Sequence, residues 1–174
     1  MTTLMKSALY TAALSSAGFA MDAASAQSEP TVQAQQVRPQ GSQPGMQGPQ
    51  QLFTGTAQIA PLFPGTAEIN ASGAYVTFEA GARTAWHTHP KGQHIIVTQG
   101  VGYTQQWGQP VTQIKVGDVV WCPPGVKHWH GAAADSAMTH LVVTGQDEEG
   151  RNVVWLEKVS DAEYSGARDI NNEQ

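Results

Sequence analysis

From Leu52 onward, apolar and polar residues alternate in short runs separated by turn residues. A period of two sends successive side chains to opposite faces, so each run predicts a strand. Such runs cover about 55–59, 74–79, 84–89, 93–98, 101–106, 111–115, 118–122, 127–130, 138–144 and 152–158. Gly81, Gly92, Gly100, Gly108, Gly117 and Gly125 fall in the breaks, and "DEEG" at 147–150 supplies the turn of a late hairpin. Only "SDAEY" at 160–164 reads as helical, because Ser160 and Glu163 are spaced as a capping box. Many short strands with polar turns predict an all-β sandwich or barrel closed by a short C-terminal helix.

The pattern is different before Leu52. Lys6 is followed by the apolar stretch "SALYTAALSSAGFA" and then by Ala24-Ser25-Ala26, an A-x-A cleavage pattern. Residues 1–26 are therefore expected to be a secretory signal peptide, which implies export, in a bacterium to the periplasm. The stretch is shorter than the ~20 residues that span a bilayer, so no stable membrane anchor is expected. Residues 27–51 are rich in Gln, Pro and Gly, bury little, and read as a flexible tether. The folded domain is expected over 52–165, with 166–174 as a C-terminal tail.

Composition narrows the function. A net charge of −5 with Lys and Arg scattered singly offers no basic patch, which argues against a nucleic-acid partner and a polybasic membrane contact. The single cysteine, Cys122, permits no intramolecular disulfide, so an exported form must rely on its core or on a metal. Beside Pro123, Cys122 reads as a buried small hydrophobe rather than a nucleophile. Five Trp in a small barrel suggest contacts between subunits, and a homo-oligomer (dimer or tetramer) is expected. Trp86, Trp121 and Trp129 alternate with or flank inward positions and are expected on the outer sheet faces.

The chemistry concentrates in "HTHPKGQH" at 87–94. His87 and His89 share one strand face, and Gln93 opens the next strand after the turn at 90–92. His128 follows the tight turn in "CPPGVKH". Three imidazoles and one amide oxygen would leave two open positions on an octahedral ion, the arrangement of a catalytic site. H-x-H alone is equally the mark of two histidines on an exposed strand. His94, one position beyond Gln93, should point away from the site.

The glycines and prolines around these residues decide between the readings. Gly81, His87, His89 and Gly100 follow G-x5-H-x-H-x3-E-x6-G, with Gln93 in place of Glu. Gly117, Pro123, Gly125 and His128 follow G-x5-P-x-G-x2-H-x3-N, with Ala132 in place of Asn. Spacing and residues resemble the two motifs of the cupin family, which implies a single-domain cupin, a jelly-roll or double-stranded β-helix barrel. "FTGTAQIAPLF", "FEAGARTAWHTHPKGQ", "GDVVWCPPGVKHWHGAA" and "AMTHL" further resemble small bacterial cupins that act as manganese-dependent (R)-selective hydroxynitrile lyases. The likeness spans about residues 52–165. It implies one divalent metal ion, Mn before Fe, Ni or Zn, held by His87, His89, Gln93 and His128.

Gln93 bears on the reaction. A neutral amide leaves the ion its full charge, which favours Lewis-acid chemistry and disfavours oxygen activation. Cleaving a cyanohydrin to aldehyde and cyanide further needs a base and a site for the departing cyanide. His130, on the same face as His128, and His140, on the following strand, are the candidates, or else are hydrogen-bonded packing histidines. Thr84 would orient the substrate, and Ala74 and Val76 would shape an apolar pocket for an aryl aldehyde. The alternatives are a cupin dioxygenase acting on a small aromatic substrate and a non-catalytic periplasmic binder of a metal or small molecule.

Overall fold

A computed structural model describes residues 34–169. The expected leader, the start of the tether and the last five residues of the tail lie outside the described residues. The strands are β1 (Met46–Gln47), β2 (Phe53–Thr54), β3 (Ala57–Phe63), β4 (Ala71–Phe78), β5 (Arg83–Thr84), β6 (His87–Thr88) and β7 (Gln93–Gln106). They continue with β8 (Thr112–Lys115), β9 (Val119–Cys122), β10 (His128–Ala132), β11 (Met138–Gly145) and β12 (Val154–Trp155), and helix α1 spans Asp161–Asp169. Among the described residues, no helix is long and apolar enough to cross a membrane.

All pairings between these strands are antiparallel, and they form two sheets that share β7. One sheet runs β1-β3-β4-β11-β7-β9; the other joins β2, β5, β10 and the second half of β7, with β8 on the free edge of β7 and β6 and β12 beside β10. The strands expected at 93–98 and 101–106 are thus one long strand that bends from sheet to sheet. Gly100 makes the bend possible: its φ is +72°, and an added Cβ would lie 1.8 Å from the Ala137 carbonyl oxygen. The result is a jelly-roll barrel, as the alternation predicts.

Alternation also places the core. Along β11, Met138, His140, Val142 and Thr144 are buried and the residues between them are partly exposed. The barrel interior is filled by Phe53, Phe78, Ile95, Val97, Ile114 and Met138 among others. Burying each such side chain contributes about 1.5–3 kcal/mol. A second cluster, including Trp86, Tyr103, Trp129, Val159 and Tyr164, lies outside the barrel under α1.

This second cluster changes the reading of the tryptophans. Trp86 and Trp129 are fully buried by the chain's own C-terminal segment, without a second subunit. Trp107 and Trp121 are about half exposed (53% and 49%), so subunit contacts could involve only these two and the partly buried Trp155. The capping box forms as expected, with Glu163 N–H donating to Ser160 Oγ (3.2 Å) and Ser160 N–H to the Glu163 carboxylate (2.7 Å). Arg83, buried on β5, holds the helix start by an ion pair with Asp161 (2.5 Å) and lies over the Tyr164 ring at 4.6 Å.

Three further expectations shift. The strand expected at 84–89 is two short pieces, β5 and β6, because Ala85 N–H and Trp86 N–H turn to the carbonyls of Leu52 and Glu157. The strand expected at 152–158 is reduced to β12, although Leu156 N–H still donates to the Trp86 carbonyl. The tether is tied down at its C-terminal end, where Met46 and Gln47 pair with Ile59 and Gln58 of β3.

Candidate metal centre

β6 carries His87, the turn after it His89, the start of β7 Gln93, and the start of β10 His128 and His130. His128 and His87 are directly opposed across the β10–β6 ladder, and their ring centroids lie 4.3 Å apart. His89 lies 5.0 Å from His87 and 5.3 Å from His128, centroid to centroid. All five of these side chains are at most 5% exposed.

Backbone carbonyls fix the tautomers. His87 Nδ1 faces Ala85 O at 2.9 Å, His89 Nδ1 faces Asn152 O at 2.5 Å, and His128 Nδ1 faces Val126 O at 2.9 Å. A carbonyl can only accept, so each Nδ1 carries the proton and each Nε2 keeps a free lone pair. His89 Nε2, His128 Nε2 and Gln93 Oε1 are buried with no hydrogen-bond partner. Buried polar atoms without partners are costly, and three electron-pair donors in one place are satisfied together by a cation. The donor set fits a divalent ion.

Geometry also groups His130 with this set. His87, His128 and His130 each bring a ring nitrogen within 4.8 Å of the others, a cluster able to hold a metal. His130 differs from the other three in its hydrogen bonding, since its Nδ1 faces His140 Nε2 at 3.1 Å rather than a carbonyl. His140 sits behind it, wholly buried and against the Phe78 ring.

Electrostatics keep the cluster uncharged. Burial, reinforced by the neighbouring imidazoles, holds His87 and His130 well below the ordinary histidine value. Burial also lowers His89, and brings His128 and His140 down to about 4. Neutral imidazoles are the form that binds metals or accepts a proton.

A cavity of about 180 Å³ opens onto this cluster. Thr84, His87, His89, Gln93, His130 and Thr144 form its polar wall, and Phe53, Ile59, Val76, Val142, Val153 and Trp155 its apolar wall. Of the pocket residues expected from sequence, Val76 lines it, while Ala74 packs against the core without lining it. Thr84 Oγ1 lines it and accepts the His130 N–H at 3.2 Å. His94 is on the outer face against Trp121, 4.5 Å between ring centroids. Cys122 is buried, and burial pushes its thiol up to about 12.

Sequence reasoning missed Thr144, Asn152 and Trp155. Thr144 follows His140 and Val142 on the inward face of a strand, a polar residue at a core position, and was detectable. Asn152 and Trp155 lie in the run read as a strand at 152–158, but nothing in that run says what it meets: Asn152 O aims His89 and the Trp155 ring packs at 4.9 Å from His87.

The cupin-domain family profile matches residues 74–144, from β4 through β11. The (R)-mandelonitrile lyase of Granulicella tundricola is 53% identical over 124 residues, covering 71% of this chain and 94% of that protein. The chain belongs to the cupin family. A cupin-like protein from Thermotoga maritima shares 39% identity with a TM-score of 0.64, covering 76% of this chain and 97% of its own. A cupin-2 domain from Rhodospirillum rubrum, at 17% identity and TM-score 0.56, covers 82% of this cupin and 97% of its own chain, and shares the fold.

Proposed function

We propose that this cupin is a metal-dependent hydroxynitrile lyase, reversibly cleaving a cyanohydrin to an aldehyde and cyanide. The observation that carries the proposal is the set of partnerless buried donors, His89 Nε2 and Gln93 Oε1 at the wall of a one-ring cavity and His128 Nε2 on the ring next to His89. The chain's likeness to a mandelonitrile lyase supplies the reaction. An apolar cavity of roughly 150 Å³ holds benzene, so the space suits a single aromatic ring.

His87, His89, Gln93 and His128 would hold the ion, with Mn proposed before Fe, Ni or Zn. When bound, a divalent ion supplies Lewis acidity toward the substrate oxygen. His130 is the base, because it lines the cavity and His140 does not. With the His130 Nδ1–H donated to His140 Nε2, the free His130 Nε2 accepts the substrate hydroxyl proton. The C–C bond then breaks, the oxygen's electron pair forms the carbonyl, and cyanide leaves with the bonding pair. His130 returns the proton to give hydrogen cyanide. His140 stabilises the charged imidazole, and Thr84 helps position the substrate.

Export is part of the proposal and rests on the leader-like residues 1–26. A homo-oligomer joined through the outer face of the β4–β11–β7–β9 sheet is supported by the exposed Val119 and Trp121 there.

Benzaldehyde release from mandelonitrile, followed with protein loaded with Mn²⁺, tests the function. His87→Ala and His130→Ala should each lower kcat by at least about 100-fold. A rate no higher than buffer with metal-loaded protein would refute it.

A further inference from the structure

Gln93 raises a problem that a carboxylate ligand would not. A carboxylate offers an electron pair from either oxygen, whereas an amide offers one at Oε1 only, and its Nε2 end presents two N–H groups. Rotated by half a turn, the same side chain would direct donors at a cation.

The structure holds one orientation. Gln93 Nε2 donates to Thr144 Oγ1 at 2.9 Å, which leaves Oε1 buried, without a partner, on the side of the histidines. Both side chains are buried, at 5% and 4% exposure, and the two residues are register partners across the β7–β11 ladder. The contact is set by two central strands rather than by a loop.

We propose that Thr144 is a positioning residue that commits the Gln93 amide oxygen to the metal. The inference rests on Gln93 being a ligand, as proposed above. With Oε1 on the ion, the buried N–H group needs an acceptor, and Thr144 Oγ1 is the one it meets. Valine has nearly the same shape as threonine and no acceptor. Thr144→Val therefore leaves the N–H unsatisfied whenever Gln93 ligates, and the penalty falls on the metal-bound state. Outer-shell partners of this kind typically change metal affinity by about 10- to 100-fold.

The test is Mn²⁺ affinity of the full chain, measured by competition with a fluorescent chelator, with the melting temperature of each metal-free variant as a folding control. Thr144→Val should bind Mn²⁺ about 10- to 100-fold more weakly, and Thr144→Ser, which keeps the hydroxyl, should stay within about threefold. In a Gln93→Glu background the Thr144→Val effect should shrink to less than about threefold, because a carboxylate has no N–H to place. A purely structural role would instead weaken both backgrounds equally. Equal Mn²⁺ affinity for wild type and Thr144→Val, with Gln93→Ala clearly weakened, overturns the role of Thr144 and leaves Gln93 a ligand. Unchanged affinity in Gln93→Ala overturns both.

Discussion

Acidification should destabilise the metal-free cupin well above the pH at which its carboxylates titrate. His128 and His140 are buried, and burial brings each down to about 4, whereas in the unfolded chain both return to about 6.5. A proton therefore prefers the unfolded state between those values. The stability these groups confer is complete above about pH 6.5, is lost as the pH falls, and the loss levels off below about pH 4. At pH 5, linkage gives about 2 kcal/mol for each, or about 4 kcal/mol together, against a typical total of 5–15 kcal/mol. For a domain of this size that lowers the melting temperature by roughly 10–15 °C. Calorimetry or circular dichroism of chelator-treated protein at pH 7.5 and 5.0 reads the difference. His140→Gln removes one of these groups, so its melting temperature should fall by less than that of the wild type, while His87, His89 and His130, which burial also holds low, add to the shift in both. A wild-type shift below about 3 °C would show that these imidazoles are not held neutral by the fold.

Other consequences are simpler to state. Arg83→Met removes the buried cation that holds Asp161 and the Val159 carbonyl, and should cost about 2–4 kcal/mol in urea denaturation. Asp161→Asn, at an acid whose side chain is 94% exposed, should cost less than about 1 kcal/mol. Gly100→Ala meets both a positive φ and the Ala137 carbonyl, so soluble yield should collapse or stability fall by more than about 3 kcal/mol. With its thiol pushed up to about 12, Cys122 should resist a thiol-specific reagent at pH 8 in the native protein and react fully in guanidinium.

Much of the site was legible because strand alternation is strict. His87, His130, Val76 and Thr84 all face the cavity expected of them, and Gln93 reaches it by opening the strand after the turn. Gly81, Gly92, Gly100, Gly117 and Gly125 all adopt positive φ, so the turns that bring separate strands together were readable from composition. The partners of the run at 152–158 were not readable. The Asn152 carbonyl belongs to the backbone, and no residue type announces it. Trp86 and Trp129 point outward as alternation requires, but the helix covering them approaches from the far end of the chain, where the local pattern carries no information. Gly100 reads as a break for a similar reason: a glycine that ends a strand and one that bends it look alike until the partners of both halves are known.

The carbonyl that aims His89 lies 63 positions beyond it, and the ring packed on His87 comes later still. Proteins are made from the N-terminus, so two of the four proposed ligands, His89 and Gln93, leave the ribosome before the residues that set their directions, whereas His87 and His128 are aimed by carbonyls two positions upstream. A nascent chain halted near residue 145 would carry every imidazole of the centre and still lack the atom that orders one of them. A complete, oriented ligand set is thereby formed only at the end of synthesis. In a chain exported before folding, the ion is then chosen by the compartment in which the C-terminus arrives.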